Sequence, residues 1–302
     1  MHGGRIALAL AAFAVVASVA PFAAASVGST RSSVILWASP ASTTSTAAAE
    51  QLWTTDGAGG HARAVLTLEP IDNSEPLIDA FLVPDGIILA TRSRSDGNVS
   101  NIVFLARGAN HIRTLFSVRG LHSFRPSPDG QRIAYSRSLP VAGKPRFVVA
   151  RRDGTVVQLL GAVTPKAISW STDGTRIFAY GFSPSCWFCA LTLASGAETA
   201  SRIDLDNLWG GWPSVSPSGT RVTFPDAKGP AGERIYSMKG TFLRNLVGRS
   251  AGTALWAPDE SRLLLQSDSN APVVFSFATK RVTPFVHDGP ANLIALDWQP
   301  GS

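Results

Sequence analysis

The stretch Ser123-Phe124-Arg125-Pro126-Ser127-Pro128-Asp129-Gly130-Gln131-Arg132-Ile133-Ala134-Tyr135-Ser136 decides the reading of this chain. A short apolar run enters a Ser-Pro-Asp-Gly turn, and an alternating, β-like run leaves it. Pro128 presets the φ of a type I turn, and Gly130 accepts the left-handed backbone that follows. One such stretch predicts only a hairpin. Four more follow the same plan: Val83-Pro84-Asp85-Gly86, Ser171-Thr172-Asp173-Gly174, Ser216-Pro217-Ser218-Gly219 and Ala257-Pro258-Asp259-Glu260. Counted from residues 85, 129, 173, 218 and 259, the steps between turns are 44, 44, 45 and 41. A β-type repeat of this length is the mark of a propeller, one four-stranded blade per repeat.

Five complete repeats leave two pieces over. The chain ends on Ile294-Ala295-Leu296-Asp297-Trp298-Gln299-Pro300-Gly301, which aligns with the first strand of a repeat and its turn: Trp298-Gln299-Pro300 matches Trp256-Ala257-Pro258. The missing three strands read at the other end, over Val34–Trp37, Glu50–Thr54 and Arg63–Leu68. An open ring leaves unpaired strand edges, and joining the termini removes them. The expected fold is therefore all-β. It is a six-bladed propeller of four-stranded antiparallel blades, closed by pairing the C-terminal strand with N-terminal strands.

The repeat turn and its run-on into Arg-Ile-Ala-Tyr or Arg-Ile-Phe-Ala resemble the WD-like repeat of TolB-type β-propellers, over about 34–301. The resemblance implies a propeller and says little about activity. TolB carries an extra N-terminal α/β domain, for which the reading leaves no room between Ala25 and Val34. Prolyl-oligopeptidase-type enzymes share the repeat but add a hydrolase domain with a Gly-x-Ser-x-Gly elbow. The letters of that motif occur at Gly248-Arg249-Ser250-Ala251-Gly252, in the connection between two repeats rather than between a strand and a helix, and no hydrolase domain is read around them.

Ahead of the repeats, residues 1–25 read as a secretory signal peptide. Arg5 precedes an apolar run over Ile6–Ala20, Pro21 breaks it, and Ala23-Ala24-Ala25 supplies small residues for cleavage after Ala25. Residues 26–33 are a linker and 34–302 the propeller. This predicts an exported protein, periplasmic or secreted, with no membrane span once the signal is removed.

The formal net charge of +6 raises the question of nucleic acid. The arginines are scattered, without a basic run, so no nucleic-acid partner is expected. Arg132, Arg176, Arg221 and Arg262 fall at one repeat position, two places after the turn, and read as solvated strand starts.

The search for chemistry is mostly negative. Cys186 and Cys189, in an exported chain, read first as a disulfide. The five histidines are dispersed, so no metal site and no cofactor are expected. No nucleophile–base pair stands out, and the reading is of a non-catalytic protein. With the four strands of a repeat lettered a to d in chain order, the b–c and d–a connections of a propeller share one face, and here they are the long ones. Function concentrates on loops held by a rigid scaffold. On that face the candidate binding residues are Trp209, Trp212, Arg119, His122, Arg249 and His287. The expected function is a monomeric interaction module for an envelope or extracellular protein. A propeller enzyme, or a binder of a glycan or peptide in the central channel, is the alternative.

Overall fold

The computed structural model describes residues 33–39, 50–68, 77–93, 95–138, 146–161, 164–183, 186–195, 198–200, 213–226, 232–247, 253–266, 271–290 and 293–300. The proposed signal and most of the linker lie outside this set. So do Trp209, Trp212 and Arg249.

The repeat turn recurs atom for atom. The Gly130 amide donates to the Ser127 carbonyl, Gly174 to Ser171, Gly219 to Ser216 and Glu260 to Ala257, each at 2.8 or 2.9 Å. Gly130 sits at φ 68°. A side chain there would strain the backbone and press on Val83, 3.0 Å from the position a Cβ would take. Asp129 and Asp173 accept from Ser127 and Ser171 and from amides beyond the turn. The Ser171 hydroxyl and the Thr175 groups hold Asp173 down at about 2.

These turns fold the chain into strands numbered in order. Blade 1 contains β1 (Ser33–Ala38), β2 (Glu50–Asp56) and β3 (Arg63–Leu68). Blade 2 contains β4 (Leu77–Val83), β5 (Gly86–Arg92), β6 (Val99–Ala106) and β7 (Ile112–Arg119). Blade 3 runs through β8 (Leu121–Pro126), β9 (Arg132–Arg137), β10 (Phe147–Arg151) and β11 (Val156–Gly161). Blade 4 has β12 (Ala167–Trp170), β13 (Arg176–Ser183), β14 (Cys186–Thr192) and β15 (Glu198–Ala200). Blade 5 has β16 (Ser214–Val215), β17 (Arg221–Asp226), β18 (Gly232–Ser237) and β19 (Phe242–Val247). Blade 6 has β20 (Thr253–Trp256), β21 (Arg262–Gln266), β22 (Val273–Ser276) and β23 (Arg281–Pro284), and β24 (Ile294–Pro300) returns to pair with β1.

That last pairing closes the ring as the repeat arithmetic predicts: Ile35 lies opposite Trp298 and Leu36 opposite Asp297, antiparallel. Each seam between adjacent blades then holds one apolar cluster. Trp37, Ile35 and Trp298 meet Leu264 and Phe285 between blades 6 and 1. Phe81, Phe104 and Val118 meet Ile133 and Val148 between blades 2 and 3. The outermost strands carry the exposed apolar side chains, Val156, Leu159, Phe242 and Val282 among them. Core and ring thus coincide, as expected when every blade buries both faces against its neighbours.

One expectation is corrected. All four repeat arginines are half-buried rather than solvated; Arg176 lies 5.6 Å from the Phe178 ring of its own strand, and the other three are clasps on the next blade. Arg132 lies 5.2 Å from the Trp170 ring of the next blade and donates to the Gly174 carbonyl. Arg221 lies 4.8 Å from Trp256 and pairs with Glu260, and Arg262 lies 5.1 Å from Trp298. A guanidinium can cover an aromatic face while its edge still donates, which periodicity cannot show.

Candidate functional site

The inner strands β24, β4, β8, β12, β16 and β20 surround the channel, and counting back from each turn aligns them. Two residues before the turn stand Asp297, Phe81, Arg125, Ser169, Ser214 and Leu255, in blade order. This layer is charged only in blades 1 and 3. Arg125 Nη2 donates to Asp297 Oδ1 at 2.8 Å, so the pair reaches past blade 2 to link its two neighbours. On the way the guanidinium lies 4.1 Å from the Phe81 ring centroid. Asp297 Oδ2 accepts from the Leu82 amide at 3.0 Å, satisfying an amide on the free edge of β4.

Asp79, two residues ahead of Phe81 on β4, joins the group. Its Oδ1 accepts from the Ala80 amide at 2.8 Å. Burial lifts its pKa to about 7 against the pull of Arg125, with Asp297 adding repulsion. One arginine therefore serves two carboxylates.

The three inner strands that carry these charges are also the three with a bulge. The register slips between Leu77 and Asp79 on β4 and between Leu121 and Ser123 on β8, and β24 passes Leu296 between Asp297 and Ala295. The described pairings of β12, β16 and β20 are regular. Bulges re-aim side chains. In blades 4 and 6 the inner strands instead end on tryptophan, whose indole donates to the carbonyl of the preceding inner strand: Trp170 to Arg125 at 2.9 Å, Trp256 to Ser214 at 3.1 Å. Trp298 Nε1 has no partner.

Of the predicted rim residues, Arg119 and His122 lie on the loop-rich end. Arg119 ends β7 and pairs with Asp96 in the β5–β6 connection; both are partly exposed, so the pair contributes little stability. His122 is exposed and is the bulged residue of β8. His287 departs from a free rim position. Its ring lies 5.1 Å from Trp37, while Asp288 accepts from the Ala62 amide and donates its own amide to Gly59. Its segment thus packs against the β2–β3 turn of blade 1. The structure brings Arg119 and His122 together and places His287 at another seam.

The remaining candidates are few. Cys189 is buried in the seam between blades 3 and 4, and Cys186 shares its strand, paired in register with Ser183. Among the described residues no three His, Cys, Asp or Glu side chains are arranged to hold a metal ion, and no helix is long and apolar enough to cross a membrane. Glu233 on β18 is fully buried beside the Thr223 hydroxyl. Burial lifts its pKa to about 8, so it is largely protonated at neutral pH.

No protein-family model matches the chain, and no curated protein does. Solved structures do. A candidate TolB from Agrobacterium tumefaciens superposes with a TM-score of 0.53 at 14% identity, over 79% of this chain and 93% of that one. The likeness is one of fold. A candidate 6-phosphogluconolactonase from Bacteroides uniformis ATCC 8492 gives 0.50 at 14% identity, over 84% and 82%. Another from Bacteroides fragilis NCTC 9343 gives 0.47 at 13%, over 90% and 99%. The six-bladed ring is consistent with the TolB-type resemblance read from the repeat, and neighbours of such different description leave the activity open.

Proposed function

We propose that this chain is an exported, non-catalytic propeller that docks another envelope or extracellular protein on its loop-rich end. The observation that supports this most is the Arg125–Asp297 bridge. It occupies the channel side of blades 1 to 3 with charges that satisfy each other, which favours a ligand held on the rim over one seated deep in the channel. The contacts would come from Arg119 and His122, with Trp209, Trp212 and Arg249 on the other d–a connections. Export would follow cleavage after Ala25, and oxidation would join Cys186 to Cys189. N-terminal sequencing and thiol alkylation of the exported protein test those two steps.

The test of docking is affinity capture from an envelope extract with the wild-type chain and with Trp209→Ala, Arg119→Ala and Arg249→Ala combined. Loss of a captured protein in the variant is expected. An unchanged set of partners would overturn the assignment of this face. A second reading, a small ligand in the upper channel, draws on Asp79 alone: a half-buried carboxylate titrating near neutrality is a common feature of binding sites. Binding lost in Asp79→Asn but kept in the rim variant would favour it.

A further inference from the structure

The backbone pairings gather five basic side chains on one edge of blades 2 and 3. Arg92, the last residue of β5, lies opposite Ser100, and the adjacent Val99 lies opposite Arg119 at the end of β7. Two residues on, the chain enters β8, where Leu121 lies opposite Arg137, the last residue of β9. The Ser138 amide donates to the Gly120 carbonyl and the Arg137 amide to the Arg146 carbonyl, each at 2.8 Å, so the strip is continuous through His122 to Arg146. Strands are spaced by roughly 4.8 Å, so neighbouring charges on this strip are one or two strand widths apart.

Among the described residues acidic compensation is sparse. Asp96 is engaged by Arg119 and by the Asn98 amide. Among the described residues no carboxylate lies within ion-pair distance of Arg92, Arg137 or Arg146. Arg137 is the informative member. It is 9% exposed, its guanidinium carbon lies 5.4 Å from the Tyr135 ring, and Nη2 donates to the Tyr135 hydroxyl at 3.2 Å, while Nε is buried without a partner. Burying a guanidinium without a carboxylate is costly, and a structure retains one where something else supplies the charge. The equivalent strand ends in other blades are not basic: Ala38 in blade 1, Asp226 in blade 5 and Gln266 in blade 6.

We propose that the loop-rich end of blades 2 and 3 binds an acidic polypeptide segment, with a carboxylate of the partner reaching Arg137 and its neighbours held by Arg92, Arg119 and Arg146. This rests on the docking function proposed above and names the chemistry of the partner. A polypeptide is favoured over a lipid surface or a nucleic acid because Arg137 lies sunk in the seam. A side-chain carboxylate on a flexible segment can enter there, whereas a flat headgroup layer or a phosphate backbone meets only the exposed arginines.

The test is fluorescence anisotropy of the full exported chain with a labelled octaglutamate peptide, set against octaglutamine, phosphatidylglycerol vesicles and single-stranded DNA. Octaglutamate should bind and the neutral peptide should not. Arg137→Gln should weaken binding by roughly tenfold or more, as for truncating a buried charged contact, and Arg92→Gln and Arg146→Gln by about threefold each. Arg281→Gln, at the start of β23 on the opposite end, should leave it unchanged. The two surface variants keep the test decisive if Arg137→Gln fails to fold. No octaglutamate binding, equal weakening by Arg281→Gln, or binding of vesicles or DNA alone would overturn the proposal. A partner captured from the envelope extract and lost in the rim variant, but insensitive to Arg92→Gln and Arg146→Gln, would overturn the acidic segment and leave the docking function standing.

Discussion

Blades 1 to 3 and blades 4 to 6 build their inner strands differently from one repeat. In the first half the strands have six or seven residues, each bulged, and they place Asp297, Asp79 and Arg125 around the channel. In the second half they have four, two and four described residues in regular register, with Ser169, Ser214 and Leu255 at the layer of Arg125. Two of the three end on a tryptophan that ties one blade to the last. The contrast separates two uses of a repeat. Where it is kept, it builds the scaffold. Where it is broken, charged side chains meet at the channel, and the basic strip on blades 2 and 3 lies in that same half.

The largest effect expected from this contrast comes from the channel bridge. Arg125→Leu leaves Asp297, 2% exposed, without its cation and should cost about 3–5 kcal/mol in denaturant unfolding. Ser169→Ala and Ser214→Ala at the same layer should each stay within about 0.5 kcal/mol. Comparable losses on both sides would erase the distinction between the halves.

Each half also holds one carboxylate with a raised pKa, and titration separates them. For both, the folded chain binds its proton at pH values where the unfolded chain has lost it, so stability falls as pH rises through the window. For Asp79 that window is about 4 to 7, and for Glu233 about 4.5 to 8. Asp79→Asn should flatten the first part of the stability profile and Glu233→Gln the last, measured as melting temperature against pH. Above pH 8, where the wild-type Glu233 is a buried anion without a cation, Glu233→Gln should be the more stable chain by on the order of 1–3 kcal/mol. A wild-type melting temperature that rises from pH 5 to 8, through these two groups, would contradict both assignments.

The smallest effect concerns the tryptophans. Trp256→Phe loses the hydrogen bond to Ser214 and should cost about 1 kcal/mol more than Trp298→Phe, whose indole nitrogen has no partner. Equal costs would show that packing alone fixes these residues.

The fold was legible because its signal is redundant. Five turns recur at a near-constant spacing, four of them with one hydrogen-bond pattern, and the pairing of β24 with β1 follows from what they leave over. Sites are not redundant, and they were read less well. Reasoning from loop length put Arg119 and His122 at the loop-rich end, where the structure has them. His287 was too, but a one-dimensional reading cannot show its ring against Trp37, more than 200 residues away. Asp79, Arg125 and Asp297 were passed over, although the repeat alignment holds the clue: two charges in a layer otherwise of Phe, Ser and Leu. Arg137 was hidden for another reason. An arginine at a strand end looks solvated until the neighbouring blade is laid against it. Trp209, Trp212 and Arg249 lie outside the described residues.

The claim that the broken half of the repeat carries the docking surface is tested most directly by site-specific photo-crosslinking in cells that express the chain. A photoreactive residue at Arg92 or His122, on the loop-rich end of blades 2 and 3, should trap a discrete protein partner; one at Asp259 or Pro128, on the tight turns of the opposite end, should not. Crosslinks confined to the turn positions, with none from Arg92 or His122, would contradict the account.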